Sequence, residues 1–132
     1  MYKVRRDAIR KGYRSGLEDS TAEDLKGRRV KFTYEEVKIT YSKPASTHSY
    51  TPDFVLLDSG IIVETKGRFL PDDRKKHLLI REQHPDLDIR FVFNNSRAKL
   101  SKKSKTTYGA WCDKNGFIYA DKVIPKEWER KK

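Results

Sequence analysis

Residues 50–66 read YTPDFVLLDSGIIVETK, and this stretch decides the fold. Tyr50 to Leu57 and Gly60 to Lys66 are rich in β-branched and aromatic residues on either side of Asp58-Ser59-Gly60, a pattern that predicts two strands joined by a tight turn. Ile61-Ile62-Val63 is an apolar run of the kind a buried strand shows, and it ends in charge at Glu64 and Lys66. Downstream, Pro71-Asp72-Asp73 opens a helix containing Leu78, Leu79 and Ile80 that ends before Pro85. Ile89, Phe91 and Phe93 then alternate as a further strand. Strand, helix and strand across residues 60–94 permit a right-handed parallel crossover in an otherwise mixed sheet.

Outward from this centre the order stays mixed. Ser15-Gly16-Leu17-Glu18 has the S-x-x-E form of a capping box. It opens a helix to about Gly27 with Leu17, Thr21, Ala22 and Leu25 toward one side. Val30, Phe32 and Tyr34 alternate as a strand that Val37, Ile39 and Tyr41 continue, and Ser42 to Ser46 form a bend or linker. Thr107 to Asn115 reads as a helix closed by Gly116, and Phe117 to Tyr119 as a short strand. The expected class is α/β, a mixed central sheet flanked by helices.

The same stretch carries chemistry. Pro52-Asp53 followed by Glu64-Thr65-Lys66 spells PD-(D/E)xK, the pattern of metal-dependent nucleases. Phosphodiester hydrolysis adds negative charge to a group that is already anionic, so divalent cations are needed to neutralise it and to activate water. Two carboxylates supply hard oxygen ligands for Mg2+ or Mn2+. A lysine two residues after the second lies on the same strand face, where its ammonium can polarise the attacking water or stabilise the charged transition state. Asp53, Glu64 and Lys66 are therefore one candidate site. Whether they share a face depends on the hairpin loop. Two or four loop residues set position 53 opposite 66, a simple three-residue loop sets 53 opposite 65, and a bulge at Gly60 shifts the register by one.

Composition frames the partner. The 132 residues amount to one domain, 1–132, with no internal repeat, and carry a formal net charge of +11 from 30 Lys+Arg against 19 Asp+Glu. Lys3, Arg5, Arg6, Arg10, Lys11 and Arg14 face only Asp7 in a basic N-terminus, expected to be flexible over about 1–13. Arg97 to Lys105 holds five basic residues and no acid. Such patches suit a polyphosphate partner. The single cysteine, Cys112, excludes an intrachain disulfide and reads as a half-buried small residue. No apolar run approaches a membrane span and no signal-peptide core follows the charged start, so a soluble cytoplasmic protein is expected. His77 and His84 read as helix-surface residues and His48 as a phosphate or water contact, since the three lack zinc-ligand spacing with the cysteine.

RSGLED (14–19), YTPDF (50–54), VETKG (63–67), DDRKKHLLIREQHP (72–85) and YGAWC (108–112) together resemble the endonuclease I family, the Holliday-junction resolvases of T-seven-type bacteriophages. The likeness runs in order from about Ile9 to Trp128. It implies a restriction-endonuclease-like core and an intertwined homodimer that binds four-way and other branched DNA and makes paired symmetric nicks with Mg2+ or Mn2+, two ions per site. It also implies that Asp53, Glu64 and the Thr65 carbonyl bind metal and that Lys66 is the catalytic lysine. Glu18 matches a further metal-binding carboxylate, supplied by one subunit to the site of the other through a bridging segment near residues 42–47. Shape recognition is assigned to Arg5, Arg6, Arg10 and Arg14 with Lys99, Lys102, Lys103 and Lys105. The competing readings are a nuclease of the same core acting on other DNA structures and a non-catalytic basic nucleic-acid-binding module.

Overall fold

The computed structural model describes residues 16–43 and 46–130. Its elements, in chain order, are α1 (Gly16–Gly27), β1 (Phe32–Tyr34), β2 (Ile39–Lys43), β3 (Ser46–Tyr50), β4 (Phe54–Leu56), β5 (Ile62–Lys66), α2 (Pro71–Gln83), β6 (Ile89–Phe93), α3 (Tyr108–Asn115), β7 (Tyr119–Asp121) and a 3-10 turn at Lys126–Trp128. A five-stranded sheet runs β1-β4-β5-β6-β7, antiparallel from β1 to β5 and parallel from β5 to β7. The mixed α/β sheet and the parallel β5–α2–β6 crossover match the sequence expectation. The N-terminal basic residues and Ser15 of the capping box lie outside the described residues, as do Pro44 and Ala45 of the expected bridge.

Each helix forms where local chemistry dictates. α2 begins with Pro71, whose missing N–H costs nothing in a first turn, and Asp73 accepts the Leu70 N–H at 3.0 Å. α3 is capped by the Thr107 hydroxyl, which accepts from the Ala110 N–H at 3.1 Å, and closes at Gly116 with φ 74°. Only Gly tolerates that left-handed conformation without strain.

The sheet buries both faces. Ala22 and Leu25 of α1 pack with Phe54, Leu56, Ile61, Val63 and Val92, joined by Ile124 and Trp128. On the other face, Ile62 and Ile89 meet Ile80 of α2 and Tyr41 and Tyr50, while Phe91 and Phe93 meet Phe69, Tyr108, Cys112 and Phe117. Glu64 and Lys66 share the face of Ile62 by the two-residue period of a strand. Among the described residues, no helix is long and apolar enough to cross a membrane.

Several local expectations need correction. Val37 to Tyr41 does not continue β1, because Glu35 adopts φ 53° and turns the chain away. Ser42, Lys43 and Ser46, expected in a bend, instead belong to the paired strands β2 and β3. That pair is docked on α2 by Gln83, whose side chain bonds the Ser42 N–H and C=O at 2.6 Å each. The strand expected over 50–57 is divided: Tyr50 ends β3, the break falls at Pro52, which has no N–H for a ladder, and Phe54–Leu56 form β4. The last strand lies at Tyr119–Asp121 and not at 117–119, because the Phe117 N–H stays with Cys112 O at the helix end. His77 is fully buried, edge-on to Tyr50 and Phe91, and not on the helix surface. Cys112 is buried completely, and burial pushes its thiol up to about 12, which leaves it inert as a nucleophile.

Candidate active site

The hairpin register decides the site. Phe54 pairs with Val63 and Val55 with Ile62, and Leu56 N donates to Ile61 O, so the loop is the four residues Leu57 to Gly60. Gly60 takes φ 77° in it. Continued outward, this register sets Asp53 opposite Glu64 and not the Lys66 expected for a four-residue loop, because the loop begins at Leu57. The pairing is one step from the 53–65 alignment, the size of shift expected of a bulge, and still places Asp53, Glu64 and Lys66 on one face.

Asp53 stands where the β4 backbone stops pairing, and its side chain replaces the missing acceptor. Oδ2 accepts the Thr65 N–H at 2.9 Å and the Thr65 hydroxyl at 2.8 Å. The N–H and C=O of one strand residue point toward the same neighbour, so the Thr65 carbonyl is also directed to the Asp53 flank. Asp53 is 1% exposed, Glu64 4% and Glu18 5%.

Lys66 ends β5, and its Nζ lies 3.2 Å from Asp73 Oδ1 in the first turn of α2. Because Asp73 also holds the Leu70 N–H, the helix start fixes the direction of the lysine. Lys76, one turn on, sits with Nζ 5.0 Å from the centre of the Tyr50 ring.

Glu18, in the first turn of α1, reaches Asp53 within the same chain. One carboxylate oxygen from each of Glu18, Glu35 and Asp53 lies within 4.8 Å of the others, a group able to hold a metal ion. Glu35 was not singled out from the sequence; its only signal is that it breaks two alternating runs. Its N–H donates to Asp53 O at 3.1 Å, which fixes it beside the aspartate. Among the basic candidates, Lys99, Lys102, Lys103 and Lys105 are exposed on the connection leaving β6. The Asn94 N–H at its start donates to Lys66 O, so this connection springs from the same end of the sheet as Lys66. Among the described residues none of these four lysines is in an ion pair. His48 was expected to meet phosphate or water; its ring bonds the Ser46 hydroxyl at 2.8 Å and leans on Tyr41.

Electrostatics marks the centre of the site. Burial, and then the Asp53 charge, push the Glu64 carboxyl from its ordinary 4.5 up to about 8, against the pull of Lys66. Burial lowers His77 from 6.5 to about 3. In the metal-free chain, the stability contributed by Glu64 is full below its unfolded value and is lost as pH rises to about 8. That contributed by His77 is full above 6.5 and is lost as pH falls toward 3. The two slopes oppose between 4.5 and 6.5, and of the two only Glu64 titrates above that. Thermal melts in chelator should therefore show stability falling from pH 6.5 to 8; a flat profile contradicts the burial of Glu64 as an acid.

The profile of the family described as phage endonuclease I matches residues 1–132. Endonuclease I of Escherichia phage T7 is 61% identical over 116 residues, covering 88% of this chain and 77% of that protein. Endodeoxyribonuclease 1 of Enterobacteria phage T3 is 58% identical over 115 residues, covering 87% of this chain and 75% of that protein.

Proposed function

Because the chain belongs to the phage endonuclease I family and is thus an enzyme that hydrolyses DNA, we propose that it is a metal-dependent, structure-selective endonuclease that resolves four-way junctions and other branched DNA by paired symmetric nicks, in the host cytoplasm. The observation that supports this best is a buried carboxylate group, with a lysine anchored beside it, at the sheet end from which an exposed basic connection springs. Family membership sets aside the non-catalytic binding module.

The donor set fits divalent cations. Carboxylates and a backbone carbonyl are hard oxygen ligands of the kind Mg2+ and Mn2+ prefer. Burial first, and then the Asp53 charge, raise Glu64, so a cation placed between these carboxylates would favour its charged form. Asp53, Glu64 and the Thr65 carbonyl would hold one ion, and Glu18 with Asp53 a second. When bound, such ions neutralise the phosphate and make water acidic enough to attack at neutral pH. Lys66, steadied by Asp73, presents its ammonium on the same face, where it stabilises the extra charge developing on the phosphate.

The sheet with its parallel β5–α2–β6 unit supports a restriction-endonuclease-like core. We extend the proposal to a homodimer exchanging residues 16–43 across the segment near 42–47, because such an exchange repeats between subunits each contact the single chain makes within itself. Mixing tests it. Co-refolded Glu18→Gln and Asp53→Asn chains recover cleavage if Glu18 serves the partner's site, since one site is then intact, and stay inactive if both residues act within one chain.

Recognition is assigned to shape, through phosphate contacts that position without reading sequence. Replacing Lys102, Lys103 and Lys105 by serine should weaken junction binding and flatten the log K against log salt slope by about 0.9 per lost phosphate contact. Unchanged affinity discards that surface. Arg5, Arg6, Arg10 and Arg14 are proposed as a second set.

The test of function is cleavage of a labelled four-way junction beside a matched linear duplex, with Mg2+ and with chelator. Paired, metal-dependent nicks near the branch point are expected. Equal cutting of both substrates would keep the nuclease and remove the junction selectivity.

A further inference from the structure

Two tyrosine hydroxyls end on carboxylates of the site. Tyr50 Oη donates to Glu64 Oε2 at 2.5 Å, and Tyr34 Oη donates to Glu18 Oε2. Neither tyrosine is part of the PD-(D/E)xK pattern, and each is the last residue of its strand, β3 and β1.

Both rings are held by packing that would suit phenylalanine equally. Tyr50 is completely buried, edge-on to His77 at 5.1 Å, with Lys76 above its face. Tyr34 leans on Phe54 at 5.3 Å. Packing alone thus explains the buried Tyr50 ring and the half-buried Tyr34 ring and leaves the hydroxyls to be explained. A glutamate has three rotatable side-chain bonds, and a metal ligand must hold one of their combinations. A hydroxyl on a fixed ring, donating to one oxygen, selects that combination before the ion arrives.

Resting on the metal-dependent reading above, we infer that Tyr34 and Tyr50 are positioning residues of the metal centre, each orienting one glutamate, Glu18 and Glu64, toward the shared Asp53. They act through the carboxylates and touch neither ion nor substrate. The two are independent: Tyr34 serves the carboxylate contributed by α1, and Tyr50 the one contributed by β5.

The probe is Mn2+ alone, titrated by calorimetry into the full chain without DNA. Tyr50→Phe keeps the ring and should weaken Mn2+ binding by about tenfold. In a Glu64→Gln background the same change should alter affinity by less than about twofold, because its route to the ion is gone. Tyr34→Phe is tested in the same way against Glu18→Gln, so each tyrosine stands or falls by its own cycle, and one variant that folds poorly leaves the other decisive. A purely structural tyrosine would lower the melting temperature in chelator and leave Mn2+ affinity alone. Unchanged affinity, or equal weakening with and without the glutamate partner, overturns the assignment. If the unaltered chain binds no Mn2+, or Glu64→Gln binds as well as the unaltered chain, the metal reading falls and this inference with it. If Glu64→Gln weakens binding and Tyr50→Phe does not, only the role of Tyr50 falls.

Discussion

Asp53→Asn should reduce DNA cleavage by about a thousandfold or more while leaving junction binding intact. Asparagine has the shape of aspartate and retains an oxygen to accept from the Thr65 N–H and hydroxyl, so the end of the hairpin keeps its geometry. What goes is one negative charge at the residue shared by the Glu18–Glu35 group and by Glu64. On the proposed assignment both ion sites would lose their common ligand at once, so this substitution is expected to have the largest effect of any single change in the site. Binding is expected to persist because the proposed phosphate contacts lie on the exposed lysines after β6 and because the chain becomes slightly more basic. Single-turnover cleavage and binding in chelator on one junction separate the two; a rate within about tenfold of the unaltered enzyme would remove Asp53 from the catalytic centre.

The largest effect on stability is expected at Phe91. It is fully buried at the centre of β6, the strand that receives the crossover from β5 and passes the sheet on to β7. Its ring meets Phe69 at 5.1 Å, His77 at 4.9 Å, Phe117 at 5.3 Å and Phe93 at 5.7 Å. Phe91→Ala should cost about 3 to 5 kcal/mol through lost burial and the cavity left behind. That is a large part of the roughly 5 to 15 kcal/mol holding a small domain together. The melting temperature should fall by roughly 10 to 20 °C, read by calorimetry or circular dichroism at one pH. A drop of only a few degrees would mean that the aromatic cluster collapses into the gap.

Asp53, Glu64 and Lys66 were legible because their chemistry and spacing are local: a turn, an apolar run and charges two residues apart on one strand. The basic connection after β6 was legible for the same reason, as an uninterrupted run of charge. The register between Asp53 and Glu64 was not. Leu57 looks like a strand residue, yet it forms part of the loop and is about half exposed, with 53% of its surface open. Alternation alone gives no sign of this. Glu35 escaped because a positive φ at a non-glycine residue is a tertiary outcome, held by its contact to Asp53 O. His77 was misplaced because α2 is so charged that it reads as a surface helix, while only His77 and Ile80 of it are fully buried. Tyr34 and Tyr50 looked like ordinary strand formers; only the structure shows where their hydroxyls end. Glu18 needed the family resemblance, since nothing local links an acid in α1 to a hairpin thirty-odd residues away.

On the proposed reading, Asp53 and Glu64, with the Thr65 carbonyl, cradle a divalent cation that the enzyme needs to cut DNA. Crystals soaked in Mn2+ and measured for anomalous scattering test it directly. A peak is expected within about 2.0 to 2.5 Å of carboxylate oxygens of both Asp53 and Glu64, lost in Asp53→Asn. Manganese bound elsewhere, with none at these two side chains, would contradict it.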